Sequence, residues 1–270
     1  MAKTIIITGA TDGIGLATAK SLAAQGHNIL LHGRNEEKLK QVASELSLID
    51  GHVEIYNADL SDLNAVERIA KEIIARHKKI DVLINNAGVY KTQTTITPLG
   101  LDIRIVVNVI APYLLTQKLS PLFDANSRIV NLSSAAQSPV DLCVFKEMVN
   151  LSDGAAYAQS KLALTMWSRH LAREYGSHGP AVIAVNPGSL LATTMVKDAY
   201  GVQGSDVAIG VDILTRAAIS DEFADASGRY FDNDSGRFTS PHPDALDPQK
   251  CLNVVEAVDA AILRRPTAKS

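Results

Sequence analysis

"KTIIITGATDGIG" (3–15) begins with an apolar, β-branched run and ends in a glycine-rich turn. Such a run is typical of a buried β-strand. Gly9, Gly13 and Gly15 permit a tight turn and a close backbone approach. A helix that starts at Ile14 presents its free N–H groups and its positive dipole end to an anion. The stretch therefore predicts a strand–turn–helix unit that cradles a phosphate.

The same alternation of apolar strands and helical stretches continues along the chain. Strands are predicted at 3–8, 28–32, 52–58, 80–85, 128–133 and 181–187, with a seventh at 228–231. Helices are predicted at 14–25, 36–46, 63–77 and 99–118, and another includes 155–167. This alternation indicates a parallel sheet covered on both faces, and right-handed crossovers then give a doubly wound α/β sheet of the Rossmann type. We expect a single domain over 1–270, with loop excursions at 136–154 and 189–205.

The composition excludes several classes of protein. With 270 residues, 46% hydrophobic and 20% charged, the chain suffices for one large α/β domain. A net charge of -3 provides no basic field for nucleic acid. No stretch suggests the roughly 18–20 apolar residues of a membrane span, so no membrane partner is expected. Cys143, Cys251 and the seven histidines show no metal-ligand spacing, so no metal is assigned. The two cysteines also show no disulfide pattern, which favours a reducing, cytoplasmic compartment; the alternative is that both simply pack in the protein.

The end of the second strand bears on cofactor choice. NAD-selective sheets of this type usually carry an acid there for the ribose 2′-hydroxyl. In "LLHGRNEEKL" (30–39), Gly33 takes that place and Arg34 follows. A guanidinium suits a 2′-phosphate, although Asp12 in the glycine turn is an opposing charge. The pattern therefore favours NADP(H) over NAD(H).

Four motifs, the glycine-rich turn among them, resemble those of the short-chain dehydrogenase/reductase family. They are "TGATDGIG" (8–15), "NADL" (57–60), "NNAG" (85–88) and "NPG" (186–188). The stretches "DGAAYAQSKLA" (153–163) and "GRYFDNDSGRFTSPHPDALDP" (228–248) resemble the branch that contains retinol dehydrogenases and WW-domain oxidoreductases. That branch often acts on lipophilic aldehydes, alcohols or ketones with NADP(H).

The resemblance implies both a catalytic set and a cofactor-binding set. The catalytic residues would be Asn108, Ser134, Tyr157 and Lys161. The cofactor would be bound by Gly9, Thr11, Asp12, Gly13, Ile14, Gly15, Arg34, Asp59, Leu60, Asn86, Ala87, Gly88, Tyr157, Lys161, Pro187 and Gly188. Ser134 lies three residues beyond Asn131, as in the family pattern; a shift by one would give the role to Ser133.

Tyr157 and Lys161 have the chemistry that carbonyl reduction requires. A hydride must reach the carbon and a proton the oxygen, and Tyr157 can supply the proton. A free phenol has a pKa of about 10, and a nearby ammonium lowers it. Residues four apart share one helix face, so Lys161 can lie beside the phenol and the nicotinamide ribose. Ser134 would hydrogen-bond the substrate oxygen.

Asn108 is followed four residues later by Pro112, which has no N–H to give to the Asn108 carbonyl. We hypothesise that this carbonyl holds a water that reaches Lys161 and relays protons to solvent. A simple proline kink with a solvated carbonyl is the alternative.

Two loops are expected to determine substrate specificity. The leucines, methionine and tyrosine of 189–205 suggest an apolar lid. In 136–154, Leu142, Val144, Phe145 and Met148 either extend the same wall or pack against the domain or a partner subunit. The nearly uncharged helix around Tyr157 needs cover on several sides, which suggests a partner helix and a homo-oligomer, either a dimer or a tetramer.

These observations predict an NADP(H)-dependent oxidoreductase that transfers a hydride between nicotinamide and a carbonyl or alcohol of an apolar small molecule. The alternatives are an NAD-linked alcohol dehydrogenase and a cofactor-binding sensor without turnover. A pure binder has no need of both Ser134 and Tyr157, which argues against the sensor.

Overall fold

One sheet organises the chain. The computed structural model describes residues 1–48, 52–193, 197 and 204–265. Its strands are β1 (Thr4–Ile7), β2 (Asn28–Gly33), β3 (Val53–Asn57), β4 (Val82–Asn85), β5 (Arg128–Leu132), β6 (Ala181–Asn186), β7 (Tyr230–Asp232) and β8 (Arg237–Thr239). They are arranged in the order β3-β2-β1-β4-β5-β6-β7-β8. The strand order reverses at β1, because β2 and β3 extend the sheet on one side and β4 extends it on the other. A doubly wound sheet binds ligands at this point.

The parallel, doubly wound sheet is confirmed, with one strand more than the sequence predicted. Strands β1 to β7 pair in parallel, and β8 pairs antiparallel to β7. The turn between these last two strands contains Gly236 at φ +66°. Residues 237–239 are too short and too polar to show a strand period, so the sequence did not indicate β8.

Helices cover both faces of this sheet. They are α1 (Gly13–Ala23), α2 (Glu36–Leu46), α3 (Leu63–Arg76), α4 (Ile103–Ile105), α5 (Ala111–Leu119), α6 (Asp153–Tyr175), α7 (Val207–Ile219), α8 (Pro243–Leu246) and α9 (Pro248–Leu263). Along β1, Ile6 packs into the core with α3, α5, α6 and α9, whereas Ile5 and Ile7 pack into the core with α1, α2 and α7. The period of two along a strand explains this division.

A π-helical turn, Val106–Ile110, joins α4 to α5. Pro112 follows it and cannot donate an N–H to the preceding turn, which gives a physical reason for the extra residue in the helix. The predicted helix at 99–118 is therefore three segments, 103–105, 106–110 and 111–119.

Contrary to the expectation from the sequence, one helical stretch is long and apolar enough to span a membrane. Ile103–Leu122 has the length and the mean hydropathy, 1.2, of a spanning helix. In the structure 78% of that window is buried inside the protein, as is usual for a core helix.

Helix α6 obtains its cover from its own chain. Helix α9 contributes Cys251, Val254, Val255, Val258 and Ala261 to the core that contains α6. No partner helix is therefore needed to cover this face of α6, and the homo-oligomer stays a prediction.

The excursion at 136–154 also packs inward. Val144 and Phe145 are buried in the same core, and Leu142 packs against it at partial exposure. Arg264, the residue that follows α9, donates hydrogen bonds to the carbonyls of Phe145 and Lys146. Of the two alternatives for this excursion, the structure favours packing against the domain for Leu142, Val144 and Phe145, whereas Met148 is exposed.

Candidate active site

A cleft of ≈ 500 Å³ lies at the carboxyl ends of the parallel strands. It extends from the end of β2 to the first turns of α6. The predicted residues that line it are Gly9, Thr11, Asp12, Gly13, Ile14, Arg34, Asp59, Leu60, Asn86, Ala87, Gly88, Tyr157, Lys161 and Pro187. The residues that line the cleft do not include four of the predicted ones, namely Gly15, Gly188, Asn108 and Ser134.

The glycine turn after β1 is packed too closely for side chains. A Cβ at Gly15 would lie 2.3 Å from both Asn86 Nδ2 and the Gly9 carbonyl oxygen. Gly9 and Gly13 have φ +67° and +52°, in the left-handed region that favours glycine. Asp12 caps α1 by accepting a hydrogen bond from the Gly13 N–H at 2.7 Å. The Asp12 carboxylate, an opposing charge in the sequence, thus serves as the N-cap of α1.

The "NNAG" segment is tied to this turn. Asn86 Nδ2 donates to the carbonyls of Thr8 and Gly9, at 2.8 and 3.1 Å. The Thr8 hydroxyl accepts the N–H groups of Asn86 and Ala87, both at 3.0 Å. These bonds fix the ends of β1 and β4 together at the point where strand order reverses.

The end of β2 carries two exposed cations on the cleft, Arg34 and Lys38. A Cβ at Gly33 would lie 2.8 Å from Thr11 Cγ2, so the glycine lets the two loops approach. Asn35 begins α2 by accepting the Lys38 N–H at 2.9 Å. The sequence analysis missed Lys38, although it lies four residues after Arg34, a spacing that places two side chains on the same side of a helical turn.

His32 was also missed, and it joins three strand ends. Its side chain is 3% exposed. Nδ1 accepts the Gly9 N–H at 3.4 Å, and Nε2 lies 3.1 Å from the Ala58 carbonyl oxygen, to which it donates in the neutral ring. Burial lowers the pKa of His32 to about 4, so the ring is neutral near pH 7.

Tyr157 and Lys161 lie at the other end of the cleft. Ser152 begins α6 by accepting the Ala155 N–H at 3.3 Å, so Tyr157 falls in the second turn. Lys161 Nζ lies 5.5 Å from the centre of the Tyr157 ring and donates to the Leu132 carbonyl at 2.7 Å. Burial lowers the pKa of Lys161 to about 8.

Asn108 connects the "NNAG" loop to α6. It is fully buried, its Oδ1 accepts the Val89 N–H at 2.8 Å, and its Nδ2 donates to the Val89 carbonyl and to Ser160 Oγ, both at 3.0 Å. Ser160 in turn donates to the Tyr157 carbonyl at 2.7 Å. All these hydrogen bonds of Asn108 involve its side chain, whereas the predicted water relay involves its backbone carbonyl. The relay therefore stays a prediction.

The two serines after β5 have different surroundings. Ser133 borders the cleft, but its hydroxyl lies 2.7 Å from Thr165 Oγ1 in the core. Ser134 is partly exposed, and its hydroxyl accepts the Ala136 N–H at 3.1 Å. Tyr230 donates to the Ser134 carbonyl at 3.1 Å. The engagement of Ser133 with Thr165 favours Ser134 for the substrate oxygen, whereas the residues that line the cleft include Ser133 and not Ser134. The assignment of Ser134 therefore stays a prediction.

A buried arginine holds the substrate end of the cleft together. Arg104 is 1% exposed and forms ion pairs with Asp102, at 2.5 Å, and with Asp153, the first residue of α6. It also donates to the Tyr90 carbonyl at 3.3 Å. The Tyr90 ring meets the Tyr157 ring edge-on at 4.9 Å. Sequence spacing gave no signal for this network.

Of the substrate loop expected at 189–205, the structure describes 189–193, 197, 204 and 205. Leu190 is exposed and has φ +51°, and Leu191 is buried. The expectations for its methionine and tyrosine fall on residues outside the described part.

Comparison with known proteins explains this arrangement. A model of the short chain dehydrogenase family matches residues 3–201. The chain belongs to the short-chain dehydrogenase family.

This short-chain dehydrogenase is 33% identical to human retinol dehydrogenase 13, over 92% of this chain and 80% of that protein. A crystal structure from Mycobacterium paratuberculosis has a TM-score of 0.79 and 25% identity, covering 97% of this chain and 93% of that one. A metagenomic short-chain oxidoreductase in complex with NADP has a TM-score of 0.62 and 32% identity, covering 80% and 90%. The resemblance to the retinol dehydrogenase branch is confirmed, and this short-chain dehydrogenase is an enzyme that acts on CH–OH or C=O groups.

Proposed function

We propose that this enzyme uses NADP(H) to interconvert a carbonyl and an alcohol on an apolar small molecule. The observation that carries the proposal is that one cleft has cations at one end and a tyrosine–lysine pair at the other. Arg34 and Lys38 lie at one end, and Tyr157 with a buried Lys161 lies at the other.

The residues present fit a nicotinamide dinucleotide with a 2′-phosphate. The glycine turn and Gly33 leave backbone space that a Cβ would fill, which suits close approach of a pyrophosphate. Two cations on the ribose side suit a 2′-phosphate, and no acid takes the place expected for a free 2′-hydroxyl. When bound, the nicotinamide supplies or accepts the hydride.

The chain's own residues would manage the proton. The Lys161 ammonium stabilises the phenolate form of Tyr157, and the phenol gives its proton to the substrate oxygen during reduction. Ser134 would hold that oxygen. Asn108 would keep α6 in register with the "NNAG" loop through its bonds to Val89 and Ser160.

Apolar side chains support the choice of substrate class. Val89, Ile103 and Val107 line the cleft, and the Tyr90 ring faces Tyr157. A charged substrate would lose its hydration against such a wall without compensation. We further propose that the enzyme works in the cytoplasm, on the ground of its two unpaired cysteines.

The test is NADPH oxidation with medium-chain and aromatic aldehydes and ketones, using wild type and Tyr157→Phe. We expect turnover to fall by about 10²–10⁴-fold in the variant, the usual contribution of a positioned acid. Tyr113→Phe is the matched control, because Tyr113 is buried on α5 outside the cleft. Turnover that survives in Tyr157→Phe would refute the proton donor, and binding of NADPH without any turnover would favour the sensor.

A further inference from the structure

The turn between β7 and β8 lies against the segment that follows β6. Asn186, the last residue of β6, is 2% exposed, and its Nδ2 donates to Asp232 at 2.8 Å and to Asp234 at 2.9 Å. Ser189 donates twice to Asp234, from its N–H at 2.7 Å and from its hydroxyl at 2.6 Å. The Asp234 carboxylate therefore joins both ends of the segment 186–189.

Asn233 holds the middle of the same segment. Its N–H donates to the Asn186 carbonyl at 3.1 Å, and its Nδ2 donates to the Pro187 carbonyl at 2.9 Å. The same amide lies 3.3 Å from the Ile209 carbonyl at the start of α7. The turn thus contacts backbone or side-chain polar groups of Asn186, Pro187 and Ser189.

This segment needs such support because of its backbone. Gly188 has φ +120°, and Leu190, which is not a glycine, has φ +51°. Left-handed conformations of residues with a Cβ persist only where the surroundings hold them. Pro187 lines the cleft that also contains Tyr157 and Lys161. A shift of this segment would therefore change the shape of the reactive end of the cleft.

We propose that Asp234 is a positioning residue that fixes the Pro187–Gly188 turn for the nicotinamide half of the cofactor. The inference rests on the proposed function, because it assigns that half of NADP(H) to this end of the cleft. Burial opposes ionisation of Asp234, but hydrogen bonds from Ser189 and Asn186 outweigh it and hold the pKa of the carboxyl below its ordinary value. The carboxylate is thus charged near pH 7, and Asn186 and Ser189 both donate hydrogen bonds to it.

Asp234→Asn tests the proposal, because an amide replaces one acceptor oxygen with a donor that faces the Ser189 and Asn186 donors. NADP+ and 2′,5′-ADP are titrated calorimetrically into the protein without added cofactor. The second ligand carries the adenosine, its 2′-phosphate and one 5′-phosphate, but not the nicotinamide half of the cofactor. We expect NADP+ affinity to fall about tenfold, the scale of a lost hydrogen bond to a charged group, while 2′,5′-ADP affinity stays within twofold. Asp225→Asn, an exposed residue with the same substitution, is the matched control and should change neither affinity.

Equal losses for both ligands would overturn the proposal, since they would show a general effect on the domain. So would unchanged affinity for both. If Asp234→Asn does not fold, Ser189→Ala removes one donor without a change of charge and should show the same split at about threefold. Wild-type protein that binds neither ligand would refute the proposed function, and this result is visible before any variant is made.

Discussion

The Lys161 ammonium, 5.5 Å from the centre of the Tyr157 ring, is buried against the carbonyl of Leu132. Burial is the cause that lowers its pKa to about 8. The protein therefore keeps a desolvated cation beside the phenol, at a cost to folding. That cost is the physical link between stability and the chemistry of the site.

Lys161→Met should make this cost measurable. The folded-state pKa of about 8 lies below the ordinary value of 10.5, so the folded protein binds fewer protons than the unfolded chain between these values. Wild type should therefore gain stability relative to the variant as pH rises through this window, by about 3 kcal/mol. Urea unfolding of both proteins near pH 7 and near pH 10 measures the difference, and turnover should be lost in the variant.

Lys71→Met is the matched control, because Lys71 is exposed on α3. Its stability difference from wild type should not change with pH. A pH-independent difference for Lys161→Met as well would show that burial of the ammonium has no energetic consequence.

Arg34 and Lys38 should determine the preference for the phosphorylated cofactor. Each cation can form a charge-assisted hydrogen bond with a 2′-phosphate, whereas NADH has no such group. We expect Arg34→Ala and Lys38→Ala each to weaken NADPH binding about tenfold and to leave NADH binding unchanged, measured by calorimetry. Arg68→Ala, an exposed arginine of α3, is the control. An unchanged ratio of NADPH affinity to NADH affinity in both variants would refute the roles of Arg34 and Lys38. A wild type that binds NADH as tightly as NADPH would favour the NAD-linked alternative.

His32 should affect both cofactor affinity and acid stability. His32→Gln retains a donor for Ala58 but loses the acceptor for the Gly9 N–H, so the glycine turn is held less well. NADPH affinity should fall about tenfold. The folded pKa of about 4 lies below 6.5, so wild type should lose stability relative to the variant as pH falls from 6.5 towards 4.

Urea unfolding near pH 7 and near pH 5 measures this change for His32→Gln. His178→Gln, at an exposed position, should show a smaller pH-dependent difference. Identical behaviour of the two variants would mean that the His32 ring has no role in tying the strand ends.

The sequence predicts the parts of this molecule that depend on local pattern. Continuous apolar runs predict the parallel strands, and the four-residue spacing of Tyr157 and Lys161 predicts one helix face. The role of His32 depends on three strand ends that meet only in the folded sheet. Arg104 and Asp153 form an ion pair across 49 positions of sequence, and no periodicity indicates it.

The packing against α6 is a second feature that local sequence pattern does not determine. An apolar helix surface predicts that something packs against it, but does not say whether that is a partner or the chain itself. In the structure it is α9, whose residues lie about a hundred positions later. Any oligomer must therefore use a surface other than the one beneath α9.

Val258→Asp should separate these two helices. Val258 is fully buried on α9, in the core that contains Trp167, the one tryptophan of the sequence. An unpaired carboxylate there should lower the free energy of unfolding by about 3–5 kcal/mol and shift the Trp167 emission to longer wavelength. Ala260→Asp places the same side chain at an exposed position of the same helix and should leave both unchanged.

Sedimentation of wild type and of both variants then measures the oligomeric state. If Val258→Asp only dissociates a wild-type oligomer and Trp167 emission is unchanged, α9 is a subunit contact and the intramolecular cover is refuted.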